Sequence, residues 1–234
     1  MAILCEGLKL LFIQTPHTGC TAIGSLLRTR FDGIRVPEEH VRQSDMDGGA
    51  DRRIVAVRKH ATLRQLMTAG LVTNEQRQQL VVAAGVRNPF DMMVSEFVRT
   101  TGTEDPRRRR GGGTGPRPER TARGPRPTEF EPWLLWRFSA RALDRLRGAR
   151  YETPPDFAAG VDHVVRYEHL QSDFAALMAR VGVTEDIEVP LVNRTVGRHG
   201  RRYPEFYTPG ARRIVSQVYA GWIERFGYRF DEAA

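Results

Sequence analysis

The chain has 234 residues, of which 27% are charged and 40% hydrophobic. This is ordinary usage for a globular protein and excludes a fibrous or a wholly disordered chain. The formal net charge of +8 is concentrated at residues 107–127, which hold eight arginines and one acid. Because the rest of the chain is close to neutral, a nucleic acid is not expected as a partner of the folded part.

The two cysteines, Cys5 and Cys20, belong to no Cys-x-x-Cys or Cys/His cluster, which argues against a disulfide framework and a zinc site. The apolar start at residues 1–13 is interrupted by Glu6 and Lys9 and is too short to cross a bilayer. We therefore expect a cytoplasmic protein with no membrane span and no bound metal. The sequence leaves its oligomeric state open.

Short apolar runs, each typical of a buried strand, alternate along the chain with segments of helical spacing. The predicted strands lie at residues 9–14, 54–57, 80–86 and 161–167. The predicted helices lie at residues 21–30, 62–69, 90–100, 130–146, 172–181 and 209–226, with Asn88 and Thr208 as N-caps. This alternation predicts an α/β fold with a parallel sheet covered on both faces.

Residues 101–128 interrupt the alternation. The segment contains four consecutive arginines, three consecutive glycines and several prolines, without apolar periodicity. Such a composition cannot bury enough apolar surface to offset the entropy cost of ordering. We therefore predict one domain over residues 1–234 that carries a disordered insert. The arginines leave two further hypotheses open, a polyanion-binding segment and a contact with an anionic acceptor.

The segment Pro16-His17-Thr18-Gly19-Cys20-Thr21 joins the first predicted strand to a helix. Backbone N–H groups at a helix N-terminus have no intrahelical partner and lie at the positive end of the helix dipole. Gly19 allows the backbone to approach an anion closely, and Thr18 and Thr21 offer hydroxyls. The segment predicts a phosphate site, and the alternative is a plain turn between a strand and a helix. It is not a Walker A loop, because Gly-x-x-x-x-Gly-Lys-Ser/Thr is absent.

A second candidate anion site follows the third predicted strand. Arg87 leaves this strand, and Ser95 lies on the following helix beside its apolar stripe. A guanidinium matches the oxygens of a phosphate with its planar fork. Arg87 and Ser95 therefore predict a site for a second phosphate, at some distance from the first loop. The alternative for an arginine at a strand end is a surface ion pair.

Together these two segments resemble the cofactor signatures of the sulfotransferase family, whose sulfonate donor is 3′-phosphoadenosine 5′-phosphosulfate (PAPS). The resemblance extends to a histidine motif at residues 58–66, to the Asn-Arg-Thr at residues 193–195 and to the closing residues 222–230. Within that family, the chain is similar to the bacterial and carbohydrate branch, which is related to heparan sulfate 2-O-sulfotransferases. The resemblance covers most of the chain except the arginine-rich insert.

The resemblance implies a three-layer α/β/α fold with a central parallel sheet, of the P-loop NTPase-like sulfotransferase type. It implies transfer of a sulfonate group from PAPS to an acceptor hydroxyl on a glycan, a lipid or a small metabolite, without a metal. It also implies a set of cofactor-binding residues, namely His17, Thr18, Gly19, Cys20, Thr21, Arg87, Ser95 and Arg194.

Catalytic roles are implied by the same resemblance. His60 lies where the family places a general base, and Glu168 is a weaker alternative. The loop lysine that stabilises charge on the leaving oxygen in the family is His17 here, so His17 or Lys59 would supply this charge. The departure at position 17 leaves open a homologue that binds the nucleotide without catalysis. No metal-ligand spacing links the remaining histidines, which are expected to be structural. They are His40, His163, His169 and His199.

Overall fold

The computed structural model describes residues 2–37, 60–101, 126–139, 151–190, 198 and 200–231. The predicted strand at residues 54–57, Lys59, Arg194 and most of the arginine-rich insert lie outside the described residues. The chain divides into two compact units. The first comprises Met1–Arg87 and Pro155–Asn193, and the second comprises Asn88–Pro154 and Arg194–Ala234. The grouping of both into a single domain stays a prediction.

The first unit is built on a five-stranded mixed sheet with the strand order β3-β1-β2-β4-β5. Its strands are β1 (Ala2–Cys5), β2 (Leu10–Ile13), β3 (Ile34–Val36), β4 (Val81–Val86) and β5 (His163–Arg166). The pairing of β2 with β4 and of β4 with β5 is parallel, which confirms the α/β prediction for these strands.

The prediction of a wholly parallel sheet is wrong at β1, which is antiparallel to both β2 and β3. The reason is the short connection between β1 and β2. A 3-10 turn at Glu6–Leu8 reverses the chain, Lys9 adopts a left-handed conformation with φ 48°, and its N–H donates to the Glu6 carbonyl at 2.9 Å. Such a tight connection can join only antiparallel strands. The two polar residues that interrupt the apolar start therefore mark a hairpin turn.

Helices occur in both units. Those of the first are α1 (Cys20–Arg30), α2 (Leu63–Thr68), α3 (Asn74–Gln79) and α6 (Leu170–Arg180), and those of the second are α4 (Pro89–Thr101), α5 (Phe130–Phe138), α7 (Pro209–Val218) and α8 (Ala220–Phe226). Thr62 caps α2 and Thr73 caps α3, each through a reciprocal capping box with a glutamine three residues later. The helix at α3 was not predicted, because its six residues carry no apolar stripe.

Alternate residues of β2 pack into two different apolar clusters, because successive side chains of a strand point to opposite faces of the sheet. Leu10 and Phe12 join the cluster that contains residues of α1 and α6. Leu11 and Ile13 join the cluster that contains residues of α2. All four side chains are fully buried. Each face of the sheet is thus covered by helices, which is why the strand sequence is continuously apolar.

A carboxylate ties the beginnings of β4 and β5 together. Asp162 accepts hydrogen bonds from the Val82 N–H and from an Arg77 Nη2, both at 2.8 Å. Burial alone would raise the pKa of the Asp162 carboxyl, but these hydrogen bonds lower it below its ordinary value. Because the folded-state pKa is lowered, this contribution to stability is present above the ordinary carboxyl range and is lost as the pH falls below it.

The second unit has an aromatic-rich helical core. The predicted core face of α4, from Phe90 to Val98, is buried against residues of α5 and α7. Thr208 accepts a hydrogen bond from the Ala211 N–H and caps α7, as predicted. The predicted continuous helix over residues 209–226 is instead two helices, because Tyr219 has a non-helical φ of −109° between them. Gly227 ends α8 with φ 70°, as its position predicts.

Candidate functional site

The predicted phosphate loop lies between β2 and α1, and we call residues 15–19 the anion loop. Two of its residues are left-handed, His17 with φ 63° and Gly19 with φ 74°. Gly19 is the N-cap of α1, and its carbonyl accepts the Ala22 N–H at 2.9 Å. Left-handed residues at a helix start bring backbone N–H groups into a concavity that favours anions. The left-handed conformation costs a histidine more than a glycine, so other contacts must hold it.

One of these contacts fixes Thr18 against the sheet. Thr18 is fully buried, and its Oγ1 donates to the Thr15 carbonyl at 3.0 Å. The hydroxyl therefore holds the loop together and does not face an anion, contrary to the role predicted for it. Gly85 of β4 makes room for the hydroxyl, because a Cβ at this position would lie 2.4 Å from Thr18 Oγ1.

Gly85→Ala is expected to destabilise the protein by about 1–3 kcal/mol, because a methyl group would press into a buried threonine. The displaced Thr18 would carry the anion loop with it, so we also expect weaker binding of phosphate-bearing ligands. Urea unfolding and calorimetric titration measure the two effects. Gly7→Ala is the matched control, since a Cβ there meets nothing within 4 Å. Equal stability of the two variants would contradict the close contact at Gly85.

Arg87 lies directly after β4, and the structure brings it onto the anion loop. Its Nη1 donates to the His17 carbonyl at 2.7 Å, and the residue is only 6% exposed. Its guanidinium carbon lies 3.8 Å from the centre of the Tyr167 ring, a cation–π distance. The sequence predicted a site away from the first loop, whereas Arg87 contacts that loop itself.

Ser95 belongs to the second unit, so its pairing with Arg87 stays a prediction. Within that unit Ser95 is fully buried, and its Oγ accepts a hydrogen bond from Arg198 Nη2 at 2.6 Å. Arg198 also donates to the Asp91 backbone carbonyl at 3.0 Å and forms an ion pair with the Asp91 carboxylate at 2.6 Å. Sequence reasoning singled out Arg194 and missed Arg198, which lies only four residues further along the chain.

His60 lies at the carboxyl end of β2, beside the start of the anion loop. Its Nδ1 is 2.7 Å from the carbonyl oxygen of Gln14, the residue that follows β2. A carbonyl can only accept a hydrogen bond, so Nδ1 carries the proton. In the neutral ring the lone pair then lies on Nε2, the form that a general base requires. The Phe157 ring meets the imidazole edge-on with 6.4 Å between ring centres.

The remaining predicted residues take less direct positions. Cys20 begins α1 and is buried, with its carbonyl accepting from Gln14 Nε2 at 3.2 Å, so it would meet an anion only through its backbone. Thr21 is exposed in the first turn of α1. Glu168 lies in the 3-10 turn Tyr167–His169 that follows β5. Burial raises the pKa of the Cys5 thiol to about 11, so this cysteine is not a nucleophile at neutral pH.

Tyr167 is the site residue that sequence reasoning missed. It follows β5 immediately, as Arg87 follows β4 and the anion loop follows β2. Because these three strands are parallel, their carboxyl ends meet at one edge of the sheet. Tyr167 was predicted as the last residue of the strand at residues 161–167, whereas the observed strand ends at Arg166 and leaves Tyr167 at the edge of the sheet.

Two features are absent from the described part of the chain, a cluster of metal ligands and a membrane-spanning helix. None of its His, Cys, Asp and Glu side chains form a group of three or more that could hold a metal ion. None of its helices combines the length and the apolar character that a membrane span requires.

A scan against protein-family models, a search of curated proteins and a search of solved structures find no match to this chain. The function is therefore inferred from the geometry of the anion loop and its neighbours.

Proposed function

We propose that this chain is a PAPS-dependent sulfotransferase that transfers a sulfonate group to the hydroxyl of a glycan, a lipid or a small metabolite. The observation that carries the proposal is the gathering of three groups at the carboxyl ends of β2 and β4. These are the left-handed anion loop, the Arg87 guanidinium on its His17 peptide, and His60 on Gln14. The P-loop-like three-layer α/β/α fold is part of the proposal, and helices on both faces of the sheet support it.

The proposed reaction needs a base for the proton of the acceptor. The acceptor hydroxyl gives its proton to His60 Nε2, and its oxygen forms a bond to sulfur while the bond between sulfur and the bridging phosphate oxygen breaks. The Gln14 carbonyl holds the opposite ring nitrogen, so the base keeps one tautomer and one orientation. The positive charge that forms on the ring is stabilised by the same carbonyl.

The departing phosphate oxygen needs positive charge nearby as its bond to sulfur breaks. The backbone N–H groups at the start of α1 would supply part of it, and His17 lies in the anion loop two residues before Gly19, the N-cap of that helix. An imidazolium at position 17 would add a full charge, whereas a neutral imidazole would not. This dependence on protonation distinguishes the chain from one with a lysine in the loop.

Position 17 also supports a second candidate function, a protein that binds the nucleotide without transferring the sulfonate. The anion loop and Arg87 would serve binding equally well in such a protein. The two candidates differ in whether PAPS is consumed, not in whether nucleotide binds.

Nucleotide binding is tested by the thermal shift with 3′-phosphoadenosine 5′-phosphate. At a ligand concentration about 100 times Kd, binding adds about 2.7 kcal/mol of stability, which is a Tm increase of roughly 5 °C or more. Adenosine without phosphates is the control ligand and is expected to give no shift. Radiolabelled PAPS with extracts of acceptor molecules then tests for transfer. The absence of any shift in the wild-type protein would contradict both candidates.

The catalytic candidate predicts a specific pH dependence. Because an ordinary imidazole loses its proton near pH 6.5, turnover is expected to fall as the pH rises above about this value if His17 carries the charge. His17→Lys is expected to remove this decline, since an ammonium keeps its charge to about pH 10. The rise of activity with pH that reflects deprotonation of His60 is expected to persist in this variant. Steady-state kinetics from pH 5 to 9 measure both limbs, and an unaltered profile in His17→Lys would remove His17 from the mechanism.

A further inference from the structure

Tyr167 lies against Arg87, which binds the anion loop, and beside Gly19, the last residue of that loop. Its ring lies 3.8 Å from the guanidinium carbon of Arg87. The same ring borders Gly19, because a Cβ added at Gly19 would lie 3.6 Å from Tyr167 Cδ2, an ordinary van der Waals distance. Tyr167 is therefore packed between Arg87, which donates to the His17 carbonyl, and Gly19, the N-cap of α1.

The ring contact restrains the guanidinium that donates to the anion loop. A cation held over an aromatic ring is attracted to the ring face, so the Tyr167 ring limits the positions that the Arg87 guanidinium can take. One of the guanidinium donors, Nη1, reaches the His17 carbonyl at 2.7 Å. Tyr167 thereby restrains the peptide of a histidine that is held at φ 63°.

We infer that Tyr167 is a positioning residue that, through Arg87, holds the anion loop in its binding conformation. We call the contacts from Tyr167 to Arg87 and from Arg87 to the His17 carbonyl the loop lock. The inference depends on the proposed function only for the identity of the anion. The effect of the loop lock on the loop itself is independent of any ligand.

The loop lock is tested first without a ligand, by hydrogen–deuterium exchange of the peptide that covers residues 16–21. In Tyr167→Leu, which removes the ring face, exchange is expected to rise about 3- to 30-fold, the range that a cation–π contact supports. Tyr167→Phe keeps the ring and is expected to exchange like the wild type. Arg87→Lys keeps the charge but loses the planar fork, so its exchange is expected to rise as in Tyr167→Leu.

Phe206→Leu is the matched control. Arg201 lies 4.3 Å from the centre of the Phe206 ring, so this variant removes a comparable cation–π contact from the second unit. Exchange at residues 16–21 is expected to stay at the wild-type rate in this control. Wild-type exchange in both Tyr167→Leu and Arg87→Lys would overturn the inference. Should Tyr167→Leu not fold, the comparison of Arg87→Lys with the wild type decides alone.

Binding of 3′-phosphoadenosine 5′-phosphate connects the loop lock to function. The Kd is expected to rise in Tyr167→Leu by a factor similar to the rise in exchange, and to be restored in Tyr167→Phe. A Kd that is unchanged in Tyr167→Leu, with exchange raised, would overturn the role of the loop lock in binding. A wild-type protein that binds no nucleotide would overturn the proposed function, whereas the exchange data would still decide whether Tyr167 holds the loop.

Discussion

His60→Ala is expected to lower sulfonate transfer by about 10²- to 10⁴-fold, the usual contribution of a positioned general base. Nucleotide affinity is expected to be nearly unchanged, because the imidazole acts on the acceptor proton and not on the nucleotide. The loss therefore falls on kcat at saturating acceptor, while the Kd for 3′-phosphoadenosine 5′-phosphate stays near the wild-type value. Initial rates with radiolabelled PAPS and calorimetric titration measure the two quantities.

Two variants separate the chemistry of His60 from its structural contact. His60→Asn retains an N–H that can donate to the Gln14 carbonyl but has no basic nitrogen, so we expect it to fold like the wild type and to be as inactive as the alanine variant. His163→Ala is the control, since His163 Nε2 also faces a backbone carbonyl, that of Asp173 at 3.3 Å, and the residue is expected to be structural. Full activity of His60→Asn would remove His60 as the base and make Glu168 the next residue to test.

The elements with strong local signals could be predicted from the sequence. β2 and β4 are short runs of mostly buried apolar residues, β5 has the apolar pair Val164 and Val165 at its centre, and α4 has a continuous apolar stripe, so local patterns located them. The cap at Thr208 was predicted from its hydroxyl before a helix, whereas the caps at Thr62 and Thr73 were not predicted. The first of these helices and the last were predicted near their observed starts.

The elements that were missed depend on contacts between distant parts of the chain. β3 has two exposed residues out of three, and it is a strand because it pairs with β1, with Ala2 opposite Val36. The interruption of the last predicted helix at Tyr219 is likewise a tertiary effect. Tyr219 is buried in the second unit's core, and this burial raises the pKa of its hydroxyl. Gly221, two residues later, is the local signal of a weak point in this helix, because glycine disfavours a helix interior.

The candidate site was predictable in its residue types but not in its contacts. The anion loop, Arg87 and His60 each follow a predicted strand, and the rule that ligands bind at the carboxyl ends of strands located them. The sequence could not show that Arg87 binds the His17 carbonyl or that the Thr18 hydroxyl faces inward. The contact of Arg87 depends on β4 lying next to β2, a pairing between residues about seventy positions apart. The Thr18 hydroxyl bonds to Thr15 in its own loop, in the space that Gly85 of β4 leaves open.

The ion pair between Arg198 and Asp91 gives the largest stability effect that we expect in the second unit. The Asp91 side chain is 1% exposed and that of Arg198 is 19% exposed, with 2.6 Å between Nη1 and Oδ1. Arg198→Ala removes the guanidinium from a carboxylate that has lost nearly all its water, and it also removes the donor to Ser95. Removing one partner of such a pair typically costs about 3–5 kcal/mol, and we expect a value near the lower end because Arg198 keeps some solvent contact.

Arg30→Ala provides a control with the same geometry but without the burial. Arg30 and Glu185 form an ion pair that is also 2.6 Å long, but their side chains are 44% and 61% exposed. An exposed pair of this kind contributes less than about 1 kcal/mol, because water solvates each charge when its partner is removed. Urea unfolding of both variants compares the two costs directly. Equal losses would show that burial of Asp91 does not determine the cost. The double variant Arg198→Ala with Asp91→Ala is expected to be more stable than Arg198→Ala alone. It no longer buries a carboxylate that has lost its guanidinium.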